Sequence, residues 1–273
     1  MELETAWIDV ETGKRSCAAY RARPAAAVGP LPAVLVIQEA WGVDEHIQDM
    51  TRRVATAGYL ALAPDLYTIG GRSPELVPER IAAVKRFLET VPPAIWTDSK
   101  ERQRALAALP GEEQERVGGT MARLFGGGDP EEQLAALADA CRTLRDDPVC
   151  DGHVGSLGWC MGGGLSARLA ARETGLGAAV IFYGPPPPDQ EIPAIACPVL
   201  GFYGAEDTRI TAAVPGLVEA MRRAGVAFEY RVYPGAPHAF FNDTRRSYRV
   251  DAARDAWARC LLFLATHLTP EGT

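Results

Sequence analysis

The chain has 273 residues, 47% of them hydrophobic and 23% charged, with a formal net charge of −7. That mix excludes a disordered chain and a membrane-embedded one, and at ~150 residues per domain it allows one large domain or two small ones. The acidic balance, with no basic stripe to offset it locally, argues against a nucleic-acid partner.

The first residues, Met-Glu-Leu-Glu-Thr, are acidic where a signal peptide is basic and then apolar, and no run approaches ~18 uninterrupted apolar residues. No membrane association is expected, and the expected compartment is cytoplasmic. Residues 5–23 read as two short strands with a turn at Gly13-Lys14. A Pro/Ala/Gly connector then leads to Ala33–Ile37 (AVLVI), a short β-branched run of the kind buried on both faces of a parallel sheet. Ile47, Met50 and Val54 recur at helical spacing within 45–57, Gly58 supplies a stop, and 59–63 forms a strand closed by Pro64.

Residues 68–129 break this β-α-β rhythm with Pro/Gly interruptions and amphipathic helical stretches, among them 78–89 and 112–125. A charge-balanced helical excursion from one edge of a sheet reads as an inserted lid or cap within a single domain spanning 1–273. The alternation then resumes: a helix at 130–145, a strand at 154–157, a helix at 161–172, strands at 178–182 and 199–203, a helix at 212–223, a strand at 228–233 and a helix at 250–267. The expected fold class is α/β, a mostly parallel sheet with helices on both faces, in which ligands bind beyond the carboxyl ends of the strands.

The sharpest local signal is Gly158-Trp159-Cys160-Met161-Gly162, set between a strand and a helix as a G-x-C-x-G form of the nucleophile elbow. Flanking glycines let strand and helix cross closely, and the peptide N–H of Met161, at the helix N-terminus, can hold an oxyanion. The overlapping Gly162-Gly163-Gly164-Leu165-Ser166-Ala167 fits a dinucleotide fingerprint, but it starts three residues late and the next strand ends in Phe182-Tyr183-Gly184 rather than an acid. None of the three lysines, Lys14, Lys85 and Lys100, follows such a loop, which excludes a P-loop. The six cysteines have no paired spacing and the four histidines no zinc pattern, so neither disulfides, a metal nor a cofactor is expected.

A cysteine nucleophile needs a base and an orienting acid at strand ends on the same side of the sheet, in the chain order nucleophile, acid, histidine. Downstream of Cys160, one strand runs into Gly204-Ala205-Glu206-Asp207 and the next into Pro234-Gly235-Ala236-Pro237-His238. Asp207 is the favoured acid, with Glu206 beside it as the alternative. His153 precedes the nucleophile strand, His267 lies at the far end of the last helix, and His46 is out of order, which leaves His238 as the base.

These segments, together with Gln38-Glu39-Ala40-Trp41-Gly42, Pro64-Asp65-Leu66-Tyr67 and Gly235-Ala236-Pro237-His238-Ala239-Phe240, make the chain resemble the dienelactone hydrolase family over all but about 68–110. The resemblance implies the α/β-hydrolase fold and a carboxymethylenebutenolidase-like carboxylic ester hydrolase with no cofactor, acting on a small ester or lactone through a Cys160–His238–Asp207 triad. It implies that Glu39 interacts with the cysteine and that the N–H groups of Ala40 and Met161 form the oxyanion hole. A carboxylate near the sulfur disfavours thiolate, so the expected resting state is a neutral thiol bonded to Glu39. Trp41, Trp159 and Phe240 are expected to line the substrate pocket. An arginine four residues beyond the family's histidine helps bind the substrate carboxylate; Asn242 stands there in this chain, and Arg116 is the nearest match to a second family arginine. The same residues would also serve a general short-chain carboxylesterase or thioesterase. A catalytically silent binding protein would use the fold without needing the triad.

Overall fold

The computed structural model describes residues 1–92, 95, 98–126 and 128–268; positions 93, 94, 96, 97 and 127 of the expected insertion, and 269–273, lie outside it. β1 (Leu3–Thr12) and β2 (Arg15–Pro24) form a hairpin whose turn uses Gly13 at φ +59°. β2 pairs antiparallel with β4 (Leu60–Pro64). From β4 onward the sheet is parallel, through β3 (Leu31–Ile37), β5 (Cys150–Trp159), β6 (Leu176–Phe182), β7 (Val199–Gly204) and β8 (Phe228–Tyr233). The eight strands lie in the order β1-β2-β4-β3-β5-β6-β7-β8.

Strand periodicity divides the core between two faces. Along β3, Ala33, Leu35 and Ile37 pack against α5 (Pro130–Asp146) and α6 (Met161–Arg172), while Val34 and Val36 pack toward α1 (Glu45–Thr56) and α9 (Val250–His267). All five are fully buried, which is why this run is continuously apolar rather than alternating. Asp44 caps α1 by accepting from the Ile47 N–H at 3.1 Å, and Asp129 caps α5 from the Glu131 N–H at 3.0 Å with Pro130 in the first turn.

The helix expected at 212–223 is α8 (Val214–Ala224), and a short helix not expected, α7 (Thr208–Thr211), precedes it. Pro215 lacks an N–H to continue a helix from upstream but fits a first turn, so α8 starts beside it.

Between β4 and α5 the chain forms α2 (Pro78–Thr90), α3 (Ser99–Ala107) and α4 (Gly111–Phe125). Ile81, Val84 and Phe87 of α2 and Val117, Met121 and Leu124 of α4 build a separate apolar cluster, and Trp41, from the loop after β3, joins it. Lys85 of α2 pairs with Asp44, and Arg245 lies 3.8 Å from Glu89. The Trp41 ring lies 5.6 Å from the Lys85 ammonium and 5.3 Å from the Arg245 guanidinium. α2 is thereby fastened to the loop that leads out of β3.

Candidate active site

Cys160 lies between β5 and α6 with φ +55° and ψ −118°, a conformation that a non-glycine residue adopts only when its surroundings impose it. Its N–H is bonded to the Phe182 carbonyl at 2.9 Å, and its own carbonyl accepts from the N–H groups of Gly163 and Gly164. A methyl at Gly158 would overlap the Gly162 carbonyl, and one at Gly162 would overlap the carbonyls of Ile37 and Gln38. Those oxygens are backbone and cannot swing aside. Gly162→Ala is therefore expected to lose about 1–3 kcal/mol or more, read as a lower urea midpoint. Gly216→Ala in α8, where a methyl meets open space, serves as the neutral control. Equal midpoints for both variants would refute this account of the turn.

His238, in the loop after β8, places its Nδ1 2.5 Å from Asp207 Oδ2. Asp207 starts α7 without capping it; its buried carboxylate turns to the imidazole instead, whereas Glu206 is exposed. The Glu206 N–H bonds the Ala236 carbonyl at 3.0 Å, which ties the loops after β7 and β8 together. Burial would lower the His238 pKa, but the bond to Asp207 and the neighbouring Cys160 outweigh it and push the imidazole up to about 10. The other five cysteines, Cys17, Cys141, Cys150, Cys197 and Cys260, are all free, and burial raises each thiol above its ordinary value.

Glu39 is 3% exposed and does not stand alone. Its Oε1 accepts from the Tyr183 hydroxyl at 3.1 Å and its Oε2 from Asn242 Nδ2 at 2.8 Å. Tyr183 directly follows β6 at φ +40°, fully buried, with its ring 5.1 Å from the His238 ring. Burial and the charges of Glu39 and Cys160 hold its phenol far above the usual range, so it acts as a neutral donor. The carbonyl of Ala40 accepts from the Tyr67 hydroxyl at 3.0 Å, and Met161 opens α6, so its N–H has no partner within the helix. A cleft of about 110 Å³ lies beside Met161, between the core at Leu66 and Tyr67 and the insertion at Leu76, Arg123 and Leu124.

Four residues expected to bind the substrate have other partners in the structure. Trp159 is fully buried on the α1/α9 face, the face that Leu157, two residues earlier on β5, also meets; it stacks on Phe182 with centroids 5.5 Å apart. Phe240 is also fully buried, edge-on to Tyr183 at 5.5 Å and against Tyr233 at 5.2 Å. Asn242 is fully buried against Glu39. Arg116 lies on the exposed face of α4, 3.9 Å from Glu113 one turn away, while Val117, Thr120, Met121 and Leu124 form the buried face. Trp41 remains near the site but is 9% exposed and given over to the insertion. Tyr183 was not foreseen, although its place at the carboxyl end of a buried strand is the signal that marks Glu39.

Among the described residues, no group of three or more His, Cys, Asp or Glu is arranged to hold a metal ion, and no helix is long and apolar enough to cross a membrane.

The model of the dienelactone hydrolase family matches residues 17–268. A protein of Saccharolobus solfataricus named "putative carboxymethylenebutenolidase" is 37% identical over 252 residues, covering 90% of this chain and 94% of its own. One of the same name from Escherichia coli K12 is 34% identical over 255 residues, covering 89% and 80%. The crystal structure titled "putative dienelactone hydrolase" from Klebsiella pneumoniae superposes with a TM-score of 0.75 at 30% identity, over 97% of this chain and 99% of that one. With its eight-stranded sheet covered by helices on both faces, this chain is a hydrolase of the dienelactone hydrolase family, with the α/β-hydrolase fold.

Proposed function

We propose that the protein hydrolyses small esters or lactones through a covalent acyl-enzyme on Cys160. The observation that carries this reading is Cys160 held at positive φ on the strand-to-helix turn, next to a His238 already bonded to Asp207. The Cys160 sulfur, as thiolate, adds to the carbonyl carbon, and the carbonyl electron pair moves onto oxygen. The N–H groups of Ala40 and Met161 hold that oxyanion; losing one such donor typically costs about 2.7–4 kcal/mol in the transition state. The intermediate collapses, the bond to the leaving oxygen breaks, and the His238 imidazolium gives its proton to that alkoxide or enolate. His238, now neutral, takes a proton from water, which attacks the thioester and releases the acid. Asp207 fixes the imidazole tautomer throughout.

The insertion serves as the lid over this end of the sheet, with the cleft at Met161 under it. The name carboxymethylenebutenolidase carried by the relatives supports a butenolide, an enol lactone, as the substrate of this chain. One observation favours a broader carboxylesterase or thioesterase: Asn242, at the position of a substrate-binding arginine, is neutral and turned to Glu39. Six free cysteines suit the cytoplasm, where thiols stay reduced.

Rapid mixing with p-nitrophenyl acetate is expected to give a burst of p-nitrophenolate equal to the enzyme, with the acetyl group found on the peptide holding Cys160. Because a thiolate leaves a tetrahedral intermediate more readily than an amide nitrogen does, the matching p-nitroanilide should be spared. Acetyl transfer to another residue would overturn the assignment. Turnover of cis- or trans-dienelactone beside the p-nitrophenyl ester separates the lactonase from the general esterase.

A further inference from the structure

We propose that two copies of the protein pair through the open edge of β8, antiparallel about a two-fold axis at Tyr230, so that their sheets join into one. The inference concerns assembly and stands independently of the reading of Cys160 as nucleophile.

An edge strand presents a row of unpaired backbone N–H and C=O groups, and the strand order leaves β1 and β8 at the edges of this sheet. Along β8 the direction of these groups follows from the bonds to β7. The carbonyls of Ala227 and Tyr233 accept from the N–H groups of Val199 at 2.9 Å and Ala205 at 3.0 Å. With a period of two, Glu229 and Arg231 also spend their backbone groups on β7, and Phe228, Tyr230 and Val232 turn theirs outward. Glu229, Tyr230 and Arg231 are exposed in succession, so the middle of the strand is open.

The sequence around Tyr230 is its own antiparallel complement. Tyr230 falls opposite Tyr230 of the second copy, Phe228 opposite Val232, and Glu229 opposite Arg231. The first two pairings use residues with outward backbone groups, so each pair exchanges both N–H···O bonds; Glu229 and Arg231 form the intervening pair, whose side chains lie closest. Within its own chain neither charge closes an ion pair among the described residues. Both lie on the α9 side of the sheet, where the Arg231 charge reaches Asp255 and the Glu229 charge reaches Arg259. Asp255, which accepts from the Tyr233 hydroxyl at 2.8 Å, shares one stripe of α9 with Arg259 and Leu262, and Leu262 is 69% exposed. On the other side Tyr230 is 47% exposed and stacks on Phe228 with ring centroids 5.7 Å apart. Apolar surface therefore flanks the edge on both faces.

The opposite edge repels a copy of itself. β1 carries Glu4, Asp9 and Glu11 and no basic residue, so an antiparallel pair centred between Trp7 and Ile8 sets Glu4 against Glu11. Pairing at β8 also leaves the candidate active sites open. The paired strands run in opposite directions, so the His238 loops that follow them lie at opposite ends and neither copy covers the other's site.

The test is sedimentation velocity of the full chain over a range of concentrations, joined to hydrogen exchange of its backbone amides. The wild type is expected to sediment as a dimer. The amides of Phe228, Tyr230 and Val232, which β7 leaves free, are expected to be protected and to lose that protection on dilution. Arg231→Glu and Glu229→Arg each set like charges opposite one another at both symmetry-related places, and each is expected to weaken the dimer at least about tenfold. The double variant Glu229→Arg/Arg231→Glu remakes both pairs and is expected to recover the dimer, which a damaged fold would not do. A wild type that stays monomeric at every concentration, single variants that dimerise as tightly as the wild type, a double variant no tighter than the single ones, or a dimer whose amides at 228, 230 and 232 exchange freely would each overturn the proposal.

Discussion

On the proposed mechanism, Cys160→Ala is expected to lose ester hydrolysis by roughly 10⁴–10⁶-fold in kcat, with the burst of p-nitrophenolate abolished and the fold kept. The size follows from how the work is divided. In that mechanism, His238 and Asp207 would have no nucleophile to serve without the sulfur, and the Ala40 and Met161 N–H groups could only polarise a carbonyl toward bulk water. That residual contribution is the floor of the range. The fold should survive because alanine needs less space than cysteine at a half-buried position, and the Cys160 backbone bonds to Phe182, Gly163 and Gly164 remain. The other five cysteines give no bypass, since burial raises their thiols. Cys160→Ser keeps the turn and the hydrogen bond but replaces a thiol with a much weaker acid, so it should fall between alanine and wild type. Steady-state kinetics of the three proteins on p-nitrophenyl acetate check this, and an alanine variant with wild-type turnover would remove Cys160 from the mechanism.

The order of strands and helices was legible because buried runs such as Ala33–Ile37 and helices punctuated by Gly and Pro have few alternative readings. Cys160 and the loops carrying Asp207 and His238 were legible for a different reason: a turn that crowds strand against helix admits only glycine at 158 and 162, and chain order then limits the partners. Which way a side chain faces was much harder to read. Trp159 adjoins Cys160 in sequence yet is fully buried in the core, and Phe240, two residues past His238, turns into the same core. Arg116 shows the same limit on a helix, where nothing local says which face meets the site. Asn242 was considered at the substrate only because the resemblance puts a substrate-binding arginine at its position, but only the fold reveals that Glu39, 203 residues away in the chain, is its partner. The helix α3 gave no apolar stripe to detect, having no buried residue.

Asp207→Asn separates positioning from acidity. The carboxylate holds the His238 proton on Nδ1 and favours the imidazolium, so its loss is expected to lower kcat by roughly 10²–10⁴-fold, less than removing the nucleophile. The pH dependence is the more specific readout. In the wild type, the imidazolium persists up to about pH 10, because Asp207 and Cys160 outweigh burial. For an alkyl ester, whose departing alkoxide needs a proton, kcat/KM should hold through neutral pH and fall as pH rises through that value. For p-nitrophenyl acetate, whose leaving group needs no proton, that alkaline limb should be absent. Asparagine removes the negative charge and leaves burial and Cys160 in place, so the His238 pKa drops and the alkyl-ester limb moves to lower pH. Stability should follow the same sign: a histidine raised in the folded state stabilises it below the ordinary imidazole pKa, and that contribution disappears as pH climbs through about 10. Urea midpoints of wild type and Asp207→Asn should therefore differ at neutral pH and converge above pH 10. An alkaline limb that stayed in place in Asp207→Asn would mean that His238 is not the proton donor, and the reading of the triad would have to be rebuilt around another acid.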